Sequence, residues 1–146
     1  MNEGYDLSDQ GRPGRDDLAA LYGCVGWTAY LADLDALERG VRGSLRVVTA
    51  RHGSVLVGLA RVVGDGATIA YLQDVLVHPE HRRVGLGRRL VGAAFAPFGR
   101  VRQHVLLTDD GADQRAFYES LGFTEIRDLA PGSLRAFVRF PGRATA

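Results

Sequence analysis

The stretch Gln73-Asp74-Val75-Leu76-Val77-His78-Pro79-Glu80-His81-Arg82-Arg83-Val84-Gly85-Leu86-Gly87-Arg88-Arg89-Leu90 ends a strand, turns through a glycine-containing loop and starts a helix. Leu86, Leu90, Val91, Ala94, Phe95 and Phe98 recur on one helical face. A helix start carries unpaired backbone N–H groups and a partial positive charge. Glycines at 85 and 87 let that backbone approach an anion without Cβ obstruction, and successive N–H groups can cradle phosphate oxygens. His81, Arg82, Arg83, Arg88 and Arg89 surround the turn, and no Asp or Glu occurs between Glu80 and Asp109. The segment is not a Walker A loop, because no Gly-Lys-Ser/Thr follows, and it lacks the three-glycine spacing of a dinucleotide site. On these residues alone, an anion site and a plain turn with a solvated Arg face both stand.

Outward from this turn, patterning predicts the remaining elements. A short strand is expected near Tyr5 to Leu7, a helix from Asp16 to Tyr22, and a second helix from Leu31 to Val41. Strands follow at Leu45 to Ala50 and Val55 to Val63, joined at His52-Gly53-Ser54, then a third from Ala67 to Val77. After the Gly85 to Ala96 helix come a strand from Val101 to Thr108 and a short helix to Leu121, with Gly122 just past its end. Two last strands are expected at Phe123 to Arg127 and Leu134 to Phe140, with Pro131-Gly132 between them. The order predicts a mixed α/β sheet, mostly antiparallel, with one βαβ crossover around the Gly85 helix. The 146 residues suit a single domain over 1–146.

Composition narrows the function classes. The net charge is +1, so global charge argues against a polyanionic partner, and no aromatic-interleaved basic stripe accompanies the Arg cluster. All basic residues other than His are Arg, which removes lysine Schiff-base chemistry. No apolar run reaches the length of a membrane span, and residues 1–15 lack the apolar core of a secretory signal. Cys24 stands alone and can make neither an internal disulfide nor a metal cluster. The expectation is a cytoplasmic protein with no metal, no membrane and no nucleic-acid partner.

The central stretch resembles the signature of the GCN5-related N-acetyltransferase (GNAT) superfamily, Arg/Gln-x-x-Gly-x-Gly/Ala after a strand ending in Val-x-Pro. Arg82, Gly85 and Gly87 match it, with Val77-His78-Pro79 as the strand end. About thirty residues on, Phe117-Tyr118-Glu119-Ser120-Leu121-Gly122-Phe123 resembles the family's Phe-Tyr-x-x-x-Gly-Phe motif. The resemblance implies acetyl-CoA as co-substrate and a sheet that splays at the cofactor site, flanked by about four helices. It implies that the pantetheine arm pairs with the backbone of Val75, Leu76 and Val77. It places the pyrophosphate on the N–H groups of Arg82, Arg83, Val84, Gly85, Leu86, Gly87 and Arg88. The family often has an Asn near the start of the last helix; here that position is Gly111, so that contact is missing or replaced.

The resemblance also implies direct attack by a neutral amine, with a backbone N–H of Val75 or Leu76 polarising the thioester carbonyl. Tyr118 matches the general acid, and the reading expects a phenol with a pKa near that of a thiol. Alternation along a strand puts Ala70, Leu72, Asp74 and Leu76 on one face, so Asp74 is the first choice of base, a carboxylate among apolar neighbours. An edge carboxylate bonded to a neighbouring backbone N–H or to an Arg stands beside that reading, as do Gln73 through a water, His78 and His104 as bases. Trp27, Tyr30 and Gln73 are read as acceptor-site residues, since the family builds its acceptor pocket from the first helices and an aromatic wall holds a cation or an aryl amine. The expected acceptor is a primary amine of a small molecule. A peptide or protein N-terminus, and a non-catalytic acetyl-CoA-binding module, are the alternatives. A homodimer through the last strand, Leu134 to Phe140, is also expected as an arrangement the pattern allows.

Overall fold

The computed structural model describes residues 4–130 and 132–142. They form two compact units that divide between Leu107 and Thr108. The first runs β1 (Tyr5–Ser8), α1 (Arg15–Cys24), α2 (Thr28–Leu31), α3 (Leu34–Arg42), β2 (Arg46–His52), β3 (Val55–Gly64), β4 (Ile69–Val77), a 3-10 turn at Pro79–His81, α4 (Leu86–Phe95), and β5 (Gln103–Leu106). The second holds α5 (Ala112–Ser120) and a 3-10 turn at Ile126–Asp128. No helix among the described residues is long and apolar enough to cross a membrane.

The five strands lie in sequence order, antiparallel from β1 to β4 and parallel between β4 and β5. The mostly antiparallel mixed sheet with one α4 crossover is therefore as expected. β3 is buried from Leu56 to Val62, which requires cover on both faces. On one face Leu59 and Leu76 meet Leu18, Leu21 and Tyr22 of α1 and Leu37 and Val41 of α3. On the other, α4 buries Leu86, Leu90, Val91, Ala94 and Phe95. Burial of side chains this size stabilises by about 1.5–3 kcal/mol each. Gly58 sits where β3 meets α4; a Cβ there would stand 2.8 Å from Leu90 Cδ1, so a side chain would force Leu90 to shift.

Three expectations change. The predicted Leu31 to Val41 helix divides, because Asp33 Oδ1 accepts from Ala36 N at 3.0 Å and starts α3 afresh. The predicted strand at Phe123 to Arg127 is replaced by the turn Ile126–Asp128. Arg115 of α5 pairs there with Glu119 at 2.6 Å and with Glu125 and Asp128, and Arg127 pairs with Glu125, so local ion pairs draw this segment onto its own helix. Residues 134–140 have no regular structure, and Leu134, Phe137, Val138 and Phe140 are exposed. The alternation of Leu134, Ala136, Val138 and Phe140 fits a strand, but a strand forms only against a partner ladder, and among the described residues no strand pairs with this segment. Pro131 of the expected Pro131-Gly132 turn lies outside the described residues.

Candidate active site

β4 and β5 pair only from Ile69↔Gln103 to Leu72↔Leu106. β4 continues to Val77 with β3 alone beside it, in the register Arg61↔Asp74, Ala60↔Val75, Leu59↔Leu76 and Gly58↔Val77. The sheet therefore opens after Leu72, and among the described residues no strand pairs with Gln73 to Val77 on the β5 side. Leu76 turns its side chain into the core.

That edge runs into a tightly wound turn. His78 Nδ1 accepts from Glu80 N at 3.1 Å, and Arg82 Nε donates to Val77 O at 3.2 Å. Arg83 has φ 65, a left-handed conformation unusual for a side chain of its size, and Gly85 at the cap of α4 has φ 81. Alternating hands of this kind turn successive N–H groups toward one concave side. The helical ladder begins with Arg89 N on Gly85 O at 3.1 Å, so the N–H groups of Leu86, Gly87 and Arg88 precede it. Arg82, Arg83, Val84 and Gly85 are exposed, whereas the Leu86 side chain is buried and offers only its backbone.

Beside the opened edge stands a wall of three rings from α1, α2 and the link between them. Tyr22 lies 5.9 Å from Trp27 and 5.1 Å from Tyr30, and Trp27 lies 6.1 Å from Tyr30, between ring centroids. Trp27 is 36% exposed and Tyr22 fully buried. Gln73, the extra residue of a β-bulge opposite Arg61 and Val62, donates from Nε2 to Tyr30 Oη at 3.3 Å. The structure thus brings together Trp27, Tyr30 and Gln73.

Asp74 departs from the expectation of apolar neighbours and follows the alternative of a carboxylate bonded to an Arg. Its neighbours are polar: Oδ2 accepts from Arg61 Nε at 2.5 Å and from Tyr22 Oη at 2.9 Å, and Oδ1 accepts from Tyr30 Oη at 2.7 Å. Alternation correctly put Asp74 on the inward face, but pattern along one strand does not show which side chains arrive from other elements. Arg61 and Tyr22 were not anticipated in this role. The signal for Arg61 was present, as the one charge inside the apolar run Val55 to Val63. Burial works against the Arg61 charge, yet Asp74 more than offsets it and its pKa rises. Burial, reinforced by the Asp74 carboxylate, pushes the Tyr22 phenol up, and burial likewise raises Tyr30.

The other candidates have local partners. His78 is tied to its own turn, and His104 Nε2 lies 2.7 Å from Phe98 O with its ring stacked 4.3 Å from Phe95. Cys24 Sγ donates to Leu21 O at 3.1 Å, and burial pushes its thiol up, away from nucleophilic character. Among the described residues no group of three or more His, Cys, Asp or Glu could hold a metal.

In the second unit, Tyr118 is buried on α5, packed edge-on against Phe117 and Phe123 at 5.0 and 6.0 Å. Burial first, and Asp109 second, push its phenol up to about 12, well above the thiol range expected for it. Gly111 caps α5, and its N–H donates to Asp109 Oδ1 at 2.9 Å. Gly122 follows the helix end with φ 91, as expected.

A family model of the acetyltransferase (GNAT) domain matches residues 43–125, more than half of the chain. The chain belongs to the GNAT acetyltransferase family. The match spans both motifs, from before β2 to beyond Gly122. Among solved structures, the GNAT family acetyltransferase SP0256 of Streptococcus pneumoniae TIGR4 is 29% identical, with a TM-score of 0.83 over 95% of this chain and 99% of that one. AAC(6′)-Iy, solved with the bisubstrate analog CoA-S-monomethyl-acetylneamine, shares the GNAT fold at 17% identity and a TM-score of 0.62, over 96% of this chain and 99% of that one. The mycothiol acetyltransferase of Parafrankia sp. is 36% identical over 89 residues, which are 61% of this chain and 27% of that protein. This GNAT chain matches half or less of the length of the first curated relatives.

Proposed function

We propose that this chain transfers an acetyl group from acetyl-CoA to a primary amine of a small molecule by direct attack. The observation that carries the reading is continuity: the unpaired edge of β4 leads straight into the positively charged turn at Arg82 to Arg88, wound by left-handed Arg83 and Gly85. An edge suits an amide-bearing arm, and an open nest of N–H groups with Arg side chains suits a pyrophosphate. A Cβ built at Gly85 meets nothing within 4 Å, so none of the described residues fills the space beside that backbone. AAC(6′)-Iy, of the same fold, was solved with a CoA-linked analog, which supports the same donor here.

Acetyl-CoA supplies an activated thioester, and its transfer forms an amide and frees the thiol. The chain binds, orients and moves protons. Val75, Leu76 and Val77 pair with the amide arm through their backbones, and Arg82, Arg83, Val84, Gly85, Leu86, Gly87 and Arg88 hold the phosphates. A backbone N–H of Val75 or Leu76 polarises the carbonyl. Tyr118 Oη donates its hydrogen to the departing sulfur and regains it from solvent; its raised pKa keeps it protonated throughout the neutral range. Trp27, Tyr30 and Gln73 line the acceptor side. Both Asp74 oxygens already receive donors, so the amine proton leaves to water in this reading, not to Asp74.

Calorimetric titration with acetyl-CoA tests the donor. Saturable binding is expected, and none at millimolar cofactor refutes it. Thiol release over a panel of primary amines then tests the transfer, and acceptor-independent hydrolysis alone would refute it.

A further inference from the structure

Arg61 and Asp74 are 6% and 3% exposed in the middle of the sheet, and a buried ion pair is weak as a stabilising device. Its connections suggest another use. Tyr30 Oη has one hydrogen and two lone pairs. The hydrogen is committed to Asp74 Oδ1 at 2.7 Å, and one lone pair to Gln73 Nε2 at 3.3 Å. Among the described residues no partner takes the other lone pair of this oxygen, which stands in the ring wall and can only accept.

A primary amine arrives in water as an ammonium and presents N–H donors. A bare carboxylate would bind it firmly but would also hold it charged, because an anion beside an ammonium raises its pKa. A phenol oxygen polarised by a carboxylate accepts the N–H without a full negative charge. Arg61 offsets the Asp74 charge at 2.5 Å, and Arg61 Nη1 is in turn held by Ser44 Oγ at 3.3 Å. The wall around this acceptor is aromatic: Trp27 offers an exposed face next to Tyr30 and suits an apolar body or a cation.

We infer that the Arg61–Asp74 pair is a positioning device for the acceptor wall, holding Tyr30 Oη as a pure hydrogen-bond acceptor for the ammonium of a monoamine whose body is apolar or aromatic. This rests on the amine-acetylation reading above and adds the acceptor class and three residues, Arg61, Asp74 and Tyr22, that act through Tyr30. Tyr22 shares Asp74 Oδ2 with Arg61 and buries its ring behind Tyr30, so the carboxylate cannot rotate away from Tyr30 without losing two donors.

Trp27, the only tryptophan in the chain, gives a readout that needs no turnover. The full chain is titrated with 2-phenylethylamine and, separately, with 2-phenylethanol while Trp27 fluorescence and the melting temperature are followed. The amine is expected to give a saturable change and the alcohol a much weaker one. Tyr30→Phe should weaken amine binding about tenfold, the loss of one hydrogen bond to a charged group, and lower the melting temperature as Asp74 Oδ1 loses its donor, with the fold retained by circular dichroism. Asp74→Asn should weaken it in the wild-type background but add less than about twofold in the Tyr30→Phe background, since its effect passes through the missing oxygen. Losses that multiply in the double variant overturn the inference, as does equal binding of the alcohol or no saturable change with the amine. If Asp74→Asn does not fold, Tyr30→Phe with unaltered amine affinity overturns it alone. Acetyl-CoA calorimetry on the same sample separates the two readings: amine binding without acetyl-CoA binding removes acetyl transfer and leaves the acceptor wall standing.

Discussion

Replacing Arg61 by Met tests the buried network through stability alone. Arg61 lies in a strand buried on both faces, and its Nε–Oδ2 bond of 2.5 Å joins it to a carboxylate 3% exposed. Arg61→Met keeps the length of the side chain and removes the charge. Asp74 is left buried without its cation, held only by the hydroxyls of Tyr22 and Tyr30. Removing one partner of such a pair costs about 3–5 kcal/mol, which for a chain of this size lowers the melting temperature by roughly 6–20 °C. In the Arg61→Met/Asp74→Leu double variant no charge is stranded, but the fully buried Tyr22 hydroxyl loses its acceptor, at about 1–3 kcal/mol. The double variant should therefore be more stable than Arg61→Met alone, and adding Tyr22→Phe should recover part of the remainder. Urea denaturation followed by circular dichroism measures each difference, provided the slopes agree. A loss below about 1 kcal/mol for Arg61→Met would mean a solvated, surface-like pair. A double variant no better than the single would mean that the two residues are not coupled. Either result refutes the reasoning.

Three further outcomes are expected. Tyr118→Phe should lower turnover by at least about tenfold while acetyl-CoA affinity by calorimetry stays within about twofold, and it should remove no ionisation from the rate profile between about pH 6 and 10, because the phenol is held near about 12; equal turnover removes Tyr118 from the mechanism. Gly85→Ala forces a side chain into φ 81, which costs about 1–2 kcal/mol of stability without a clash, and should weaken acetyl-CoA binding by more than about tenfold if phosphate approaches that backbone; unchanged affinity refutes that approach. Asp65 accepts from Ala67 N, Thr68 N, Thr68 Oγ1 and Ile69 N, which holds its carboxyl well below the usual range. The contribution of Asp65 is thus present above the unfolded carboxylate value of about 3.9 and fades as pH falls below it, so the stability gap between wild type and Asp65→Asn should be level from about pH 5 to 7 and close in stronger acid; a gap that widens in acid contradicts this.

Local patterning was enough wherever an element is decided by its own residues. The Gly85 helix, the hairpin at His52-Gly53-Ser54 and the strand ending at Val77 all carry their period and their breakers in consecutive residues, and the structure has them within a few positions. Patterning failed at 123–127 and 134–140, where strands were expected and no ladder forms among the described residues. Ion pairs from Arg115 bind the first of these to α5, and pairing is a property of two segments that one segment cannot reveal.

The sequence by itself determined the local positive charge of the Arg82 to Arg88 turn, the family motifs at Gly85 and Tyr118, and the inward face of Asp74. Those depend on residue type and spacing within one element. Only the tertiary structure decided where β4 parts from β5, that Arg83 takes a left-handed conformation, and that Asp74 meets Arg61, Tyr22 and Tyr30. The physical reason is reach. A hydrogen bond of 2.7 Å between residues 44 positions apart exists only once α2 has packed against the sheet, and it makes Asp74 the acceptor of the Tyr30 hydroxyl.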